Sequence, residues 1–189
     1  MSEHDQHVSA PGDSEQERLD TWLRAGNERQ FRQQLRAGTR LLQQGKAKEA
    51  LPLLKRAHEI RPDDADAALN LGGAYLMSGR HRDAIPVLER AVQQAPDSAR
   101  LWISLGAAYL GNPVLAGEEQ QLKALSAFQQ ALKIDPFAPS AAYNIGLVHR
   151  DRGEIDLAIA AFRRALKSDP GDQDAKRLLE RLERGAQAY

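Results

Sequence analysis

The 189-residue sequence contains no cysteine. That excludes disulfides, thiolate metal ligands, a catalytic cysteine and lipidation of an N-terminal cysteine. The chain also lacks an excess of either charge, with 26 Lys and Arg balanced by 26 Asp and Glu. General nucleic-acid binding draws its affinity from surplus Lys and Arg on phosphate, so nucleic acid is not an expected partner. No apolar run approaches the ~20 residues a helix needs to cross a bilayer, so no membrane partner is expected either. The opening "MSEHDQHVSAPGDSEQE" is polar and acidic, without the apolar stretch of a secretory signal. These absences lead to the expectation of a cytoplasmic chain with the length of one ordinary domain.

Catalytic and cofactor signatures are missing as well. His4, His7, His58, His81 and His149 do not share a helix face with carboxylates at ligand spacing. "GTRLLQQGK", Gly38 to Lys46, has the wrong spacing for a phosphate-binding loop, and no strand precedes it. The expectation is a chain with no catalytic residue, no metal and no cofactor, hence not an enzyme.

What the sequence does have is a count. Glycines fall at Gly38, Gly72, Gly106 and Gly146, with gaps of 34, 34 and 40. Pro62, Pro96, Pro136 and Pro170 are separated by 34, 40 and 34. The series Ala50, Ala84, Ala124, Ala158 and the series Ala57, Ala91, Ala131, Ala165 repeat those last three gaps. Four series thus share one period and one six-residue interruption between Gly106 and Ala124, where "GNPVLAGEEQQ" lies. A fixed period of this length marks an array of structural repeats.

Each unit reads as two amphipathic helices. "AALNLGGAYLMSG" carries apolar residues at helical spacing and stops at Gly79, and "DAIPVLERAVQQAP" places Ala84, Leu88, Ala91 and Val92 on one side before Pro96. Small residues such as Gly72, Ala84 and Ala91 allow two helix backbones to approach. Tyr75 and Leu88 fill the space between neighbouring pairs. A glycine suits the left-handed turn that ends the first helix, and a proline cannot continue the second.

The third unit, "WISLGAAY" from Trp102, "ALSAF" from Ala124 and then Pro136, resembles the tetratricopeptide repeat, whose pattern is W-x2-L-G-x2-Y, A-x3-F, P. The second has "ALNLGGAY", "AIPVL" and Pro96. The fourth has "AYNIGLVH", "AIAAF" and Pro170, with His149 in the tyrosine position and expected to be packed there. The first, "QLRAGTRL", "ALPLL" and Pro62, departs furthest. The resemblance implies an all-α, right-handed superhelical solenoid of helix-turn-helix repeats. The expected layout is an acidic, disordered leader at 1–13, an N-terminal helix at 14–30 and repeats at 31–64, 65–98, 99–138 and 139–172. A capping helix and tail at 173–189 complete it.

A stack of repeats needs a polar-faced cap at each end. "DQDAKRLLERLERG", with Leu178, Leu179 and Leu182 in one stripe, fits the C-terminal cap. "SEQERLDTWLRAG" has Ser14 and Glu17 spaced as a capping box and an apolar stripe of Leu19, Trp22 and Leu23. That helix either turns near Gly26-Asn27 or runs on into the first repeat. Within the interruption, Gly111 and Pro113 should end one helix and Glu118 and Glu119 should open the next, with an added helical turn or a longer loop. Val114 and Leu115 are two apolar residues there that could touch a partner.

In the family the first helix of each repeat lines a concave groove for a peptide. Carried over by position, the groove comprises Arg32, Leu35, Arg36, Thr39, Asp66, Leu69, Asn70, Arg100, Ile103, Ser104, Tyr143, Asn144 and Leu147. Leu69, Ile103, Tyr143 and Leu147 would take apolar side chains, and Asn70 and Asn144 would bind peptide backbone. The family's two-carboxylate clamp is not matched, since Leu35, Thr39 and Ser104 occupy three of its polar positions. Charge is uneven along the chain: Glu3, Asp5, Asp13, Glu15, Glu17 and Asp20 precede a basic stretch in which Arg29, Arg32, Arg36 and Arg40 fall on one helix face. The expectation is a non-catalytic scaffold binding a peptide or acidic segment of a protein partner, with the acidic leader able to lie across the groove. The alternatives are a secretion-type or assembly chaperone and a regulatory subunit of an enzyme complex.

Overall fold

Four glycines set how closely each repeat's two helices approach. A Cβ built on Gly38, Gly72, Gly106 or Gly146 would lie 2.5, 2.7, 2.6 or 2.8 Å from the nearest atom of Leu54, Leu88, Phe128 or Phe162. Ordinary carbon–carbon contact is about 3.5–4.0 Å, so only hydrogen fits at these four points. The four facing side chains are themselves fully buried.

The computed structural model describes residues 11–111 and 116–186, and the regular elements among them are all α-helices. They are α1 (Pro11–Gln43), α2 (Ala47–Ile60), α3 (Ala65–Met77), α4 (His81–Gln94), α5 (Ala99–Leu110), α6 (Glu118–Ile134), α7 (Pro139–Asp151), α8 (Ile155–Ser168) and α9 (Gln173–Ala186). Each helix packs on the next in sequence. In addition α1 meets α3, α3 meets α5 and α5 meets α7, whereas α2, α4, α6 and α8 make no comparable approach to one another. The first helices of the repeats therefore form the inner layer of an all-α solenoid. No helix among the described residues is long and apolar enough to cross a membrane.

The turns follow the sequence closely. Gly45, Gly79 and Gly153 occupy equivalent places after α1, α3 and α7, with φ of 75°, 72° and 75°, the left-handed region a side chain resists. Gly111 caps α5 with φ 54°. Pro113 to Leu115 lie outside the described residues. The interruption is resolved into two parts. α6 begins three residues earlier, relative to the repeat, than α2, α4 and α8, and Glu118 and Glu119 stand in its first turn. The remaining extra residues fall between the end of α5 and the start of α6.

The N-terminal end departs from the capping-box expectation. Helix α1 begins at Pro11, so Ser14 lies inside the first turns and is not the cap. Of the two alternatives at Gly26-Asn27, the continuous helix is the one found. A helix-interior glycine costs about 1 kcal/mol, too little to break a run flanked by good helix formers. Just beyond, Glu28 is held by Arg32 at 2.5 Å and by Arg61, at the end of α2, at 3.4 Å. Residues 1–10, most of the expected leader, lie outside the described residues. Glu15, Glu17 and Asp20 lie in α1, so they are not part of a leader that could fold over the groove. At the other end Ala175 is fully buried, and Leu178, Leu179 and Leu182 pack on Ala158 and Phe162, so α9 caps the stack.

Candidate functional site: the inner-face cleft

The inner layer opens into a cleft of about 360 Å³ lined by Leu42, Leu69, Asn70, Gly73, Arg100, Ile103, Ser104 and Ser140. Its walls come from the end of α1, from α3 and α5, and from the start of α7. Five sequence-derived groove residues, Leu69, Asn70, Arg100, Ile103 and Ser104, meet here. Leu69 and Ile103 are half-buried and form an apolar floor with Leu42. Gly73 lies one turn beyond Asn70 and keeps the cleft open, since nothing stands within 4 Å of a Cβ built there. Arg100 is the one charged side chain on the lining and has no carboxylate within 4 Å among the described residues.

The asparagines differ from their expected role in part. Asn70 Nδ2 donates to the carbonyl of Asp66 at 2.8 Å, and Asn144 Nδ2 donates to that of Ser140 at 2.7 Å. Each spans one turn of its own helix, which leaves the second N–H and the Oδ1 for a ligand. Only Asn70 reaches the cleft.

The other positions are placed elsewhere. Arg32 bonds Glu28 at 2.5 Å, so its guanidinium is already engaged at the edge of the stack. Leu35 packs on Phe31 and on the main core. Thr39 is half-buried and Asp66 and Arg36 are exposed, but none of the three lines the cleft. Tyr143 and Leu147 are half-buried against the C-terminal cluster under α9, and the Tyr143 ring meets Phe162 edge-on at 5.7 Å. Leu42, Gly73 and Ser140 line the cleft although the repeat pattern does not mark them as groove residues. Helical spacing could have found them: Leu42 follows Thr39 by three, Gly73 follows Asn70 by three, and Ser140 precedes Asn144 by four.

The tyrosine positions of the repeat turn out to be polar joints between helices. The Tyr75 ring lies under Arg80 at 5.0 Å and Lys55 at 5.7 Å. In the next repeat Glu89 takes the place of Lys55, and the Tyr109 hydroxyl donates to it at 2.6 Å. Burial, reinforced by that bond to a carboxylate, pushes the Tyr109 phenol up to about 12. In the fourth repeat His149 and Glu154 replace Tyr75 and Arg80 and meet at 2.5 Å, with the His149 side chain only 14% exposed. The expected packing of His149 is met. The hydrogen bond from His149, followed by that from Arg152, holds the Glu154 carboxyl below its usual range. These groups lock one helix to the next and do not converge on a reacting atom. Among the described residues no three His, Asp or Glu side chains come together to hold a metal ion.

Comparison with known proteins agrees with the geometry. One tetratricopeptide repeat family model matches residues 41–109, and another of the same description matches residues 119–173. No curated protein matches. Among solved structures, the thermophilic repeat protein TTC0263 of Thermus thermophilus is 25% identical, with a TM-score of 0.71 over 82% of each chain. A crystal structure of MamA is 27% identical, with a TM-score of 0.67 over 79% of this chain and 84% of that one. A MamA fragment from Desulfovibrio magneticus, 24% identical with a TM-score of 0.65, covers 76% of this chain and 77% of its own and bears on the fold alone. The shared architecture is that of a protein-interaction scaffold. With its period, its glycine contacts and its inner layer accounted for, the chain belongs to the tetratricopeptide repeat family.

Proposed function

We propose that this protein is a non-catalytic scaffold that holds an extended peptide segment of a protein partner in the inner-face cleft. The carrying observation is the lining itself. Leu42, Leu69 and Ile103 offer an apolar floor, Asn70, Ser104 and Ser140 offer hydrogen bonds at its edge, and Arg100 offers one unpaired cation. That composition suits a peptide with an apolar anchor side chain and a carboxylate a short distance away. A guanidinium binds a carboxylate through two parallel N–H bonds, which fixes direction as well as position. An acidic peptide therefore fits through Arg100, with Arg36 as an outlying contact, and not through Arg32.

The test is photo-crosslinking in the native cell. A photoreactive residue is placed at Ile103 in the cleft, and in parallel at Ser126, which is exposed on α6 in the outer layer. A partner captured from Ile103 and lost with Arg100→Glu supports the reading. Capture from Ser126 alone overturns it.

A further inference from the structure

Among the described residues, the N-terminal half of α1 makes no hydrogen bond, ion pair or hydrophobic-cluster contact with another element. Glu28 and Phe31 of α1 stand beside Arg61, at the end of α2. The residues from Pro11 to Asn27 therefore extend beyond α2 by about 25 Å at 1.5 Å per residue. On this overhang Leu19, Trp22 and Leu23 are 49%, 65% and 47% exposed. They belong to none of the hydrophobic clusters. At about 100° per residue they form one stripe with Gly26, turned roughly 135° from the face on which Phe31, Leu35 and Gly38 meet the core. A single helix of this length is marginal in water unless something packs on it. Among residues 1–10 only Met1, Val8 and Ala10 are apolar, a poor match for this stripe.

The stripe is built to match itself. Glu15 lies at one end of it and Arg29 at the other, both exposed on the same face and equidistant in sequence from Trp22. Arg29 has no carboxylate within 4 Å among the described residues. An antiparallel copy centred on Trp22 sets each Glu15 against the other's Arg29. A parallel copy sets like charges together. Gly26 fits the same arrangement. Gly38, Gly72, Gly106 and Gly146 are explained by close contacts, but at Gly26, as at Gly73 in the cleft, nothing stands within 4 Å of a Cβ. It leaves room beside the stripe for the indole of the facing Trp22.

We propose that the α1 overhang is a homodimerisation surface, on which a second copy of this chain packs antiparallel about a two-fold axis near Trp22. The contact is isologous, so it closes as a dimer. A single helix face falls at the small end of specific interfaces, and the dimer dissociates in the micromolar range. The inner-face cleft stays open in both copies, and the dimer presents two of them.

Sedimentation velocity on the full chain tests this, from about 1 to 200 µM. Wild type is expected to pass from monomer to dimer across that range. Trp22→Ala weakens the dimer more than tenfold, and Gly26→Ala also weakens it while raising monomer helicity. Glu15→Arg alone and Arg29→Glu alone each weaken it, by putting like charges opposite each other. The double variant Glu15→Arg with Arg29→Glu restores it, because the swapped pair is again complementary only in the antiparallel arrangement. These positions lie outside the repeat packing, so unchanged thermal midpoints at low concentration verify that the repeats remain folded. A wild type that stays monomeric to 200 µM overturns the proposal. So does a dimer indifferent to Trp22→Ala, or one that the double swap fails to restore.

Discussion

Adjacent glycines in α3 should respond to the same substitution in opposite directions. Gly72 and Gly73 sit side by side in one helix, so alanine brings each the same gain in helix propensity, about 1 kcal/mol. Their surroundings differ. At Gly72 the new methyl would lie 2.7 Å from Leu88 Cδ2, 2.9 Å from Cγ and 3.0 Å from Cδ1. Three contacts include the branch point, so turning the tip of the leucine does not relieve them, and Leu88 is fully buried with no free space to enter. Overpacking of this kind costs about 1–3 kcal/mol. At Gly73 nothing lies within 4 Å. Gly73→Ala should therefore stabilise by about 0.5–1 kcal/mol, and Gly72→Ala should be neutral to destabilising by about 2 kcal/mol. The difference between the two isolates the overpacking cost. For a chain of this size 1 kcal/mol moves the thermal midpoint by about 2–4 °C, so the variants should separate by several degrees. Thermal denaturation followed by circular dichroism at 222 nm reads it. Equal midpoints would refute the claim that Gly72 is fixed by its contact with Leu88.

The other outcomes concern the joints, the cap and the interruption. Tyr109 keeps its proton longer in the folded chain than in the unfolded one, so its contribution to stability is present below pH 10 and is lost as pH rises toward about 12. Tyr109→Phe should flatten that part of the alkaline unfolding curve, and an unchanged curve would show that the bond to Glu89 is not maintained. Glu154, held low mainly by His149, contributes stability that is lost as pH falls below the ordinary carboxylate value of 4.5. In His149→Gln the Glu154 carboxyl should titrate closer to that value by carbon-13 NMR. Truncation after Asp172 removes α9, exposes Phe162 and Tyr143, and should lower the thermal midpoint by about 5 °C or more, on the order of a few kcal/mol of lost burial. Shortening the Gly111–Gln121 segment to the regular repeat length should shift the midpoint by less than about 2 °C, because loop closure depends only weakly on length. Unfolding of that variant would mean the segment is structural.

The repeat period, the helix pairing and the small-residue contacts were legible in the sequence because they are local and recur. Gly38, Gly72 and Gly146 each face the bulky residue sixteen positions on, and Gly106 faces the one twenty-two positions on, the six-residue interruption making the difference. A helical hairpin of fixed length dictates that partner. The same regularity put Leu69, Asn70, Arg100, Ile103 and Ser104 on the inner layer, where they line one cleft. Residues near the ends of the stack were not decided this way, since no neighbouring repeat constrains them. Tyr143 and Leu147 occupy groove positions by count but do not line the cleft; they are half-buried against the cluster that α9 closes, and that docking depends on leucines some thirty-five residues away. Arg32 stands at a groove position by spacing, yet Glu28, one turn earlier on a continuous α1, engages it. That continuity rested on a balance between one glycine's propensity cost and the ion pairs around Glu28, one of which comes from α2. The sequence determined the repeat and its inner face. The tertiary structure decided which of those positions line the cleft and left the Trp22 stripe exposed, because coverage depends on packing between distant segments and not on local pattern.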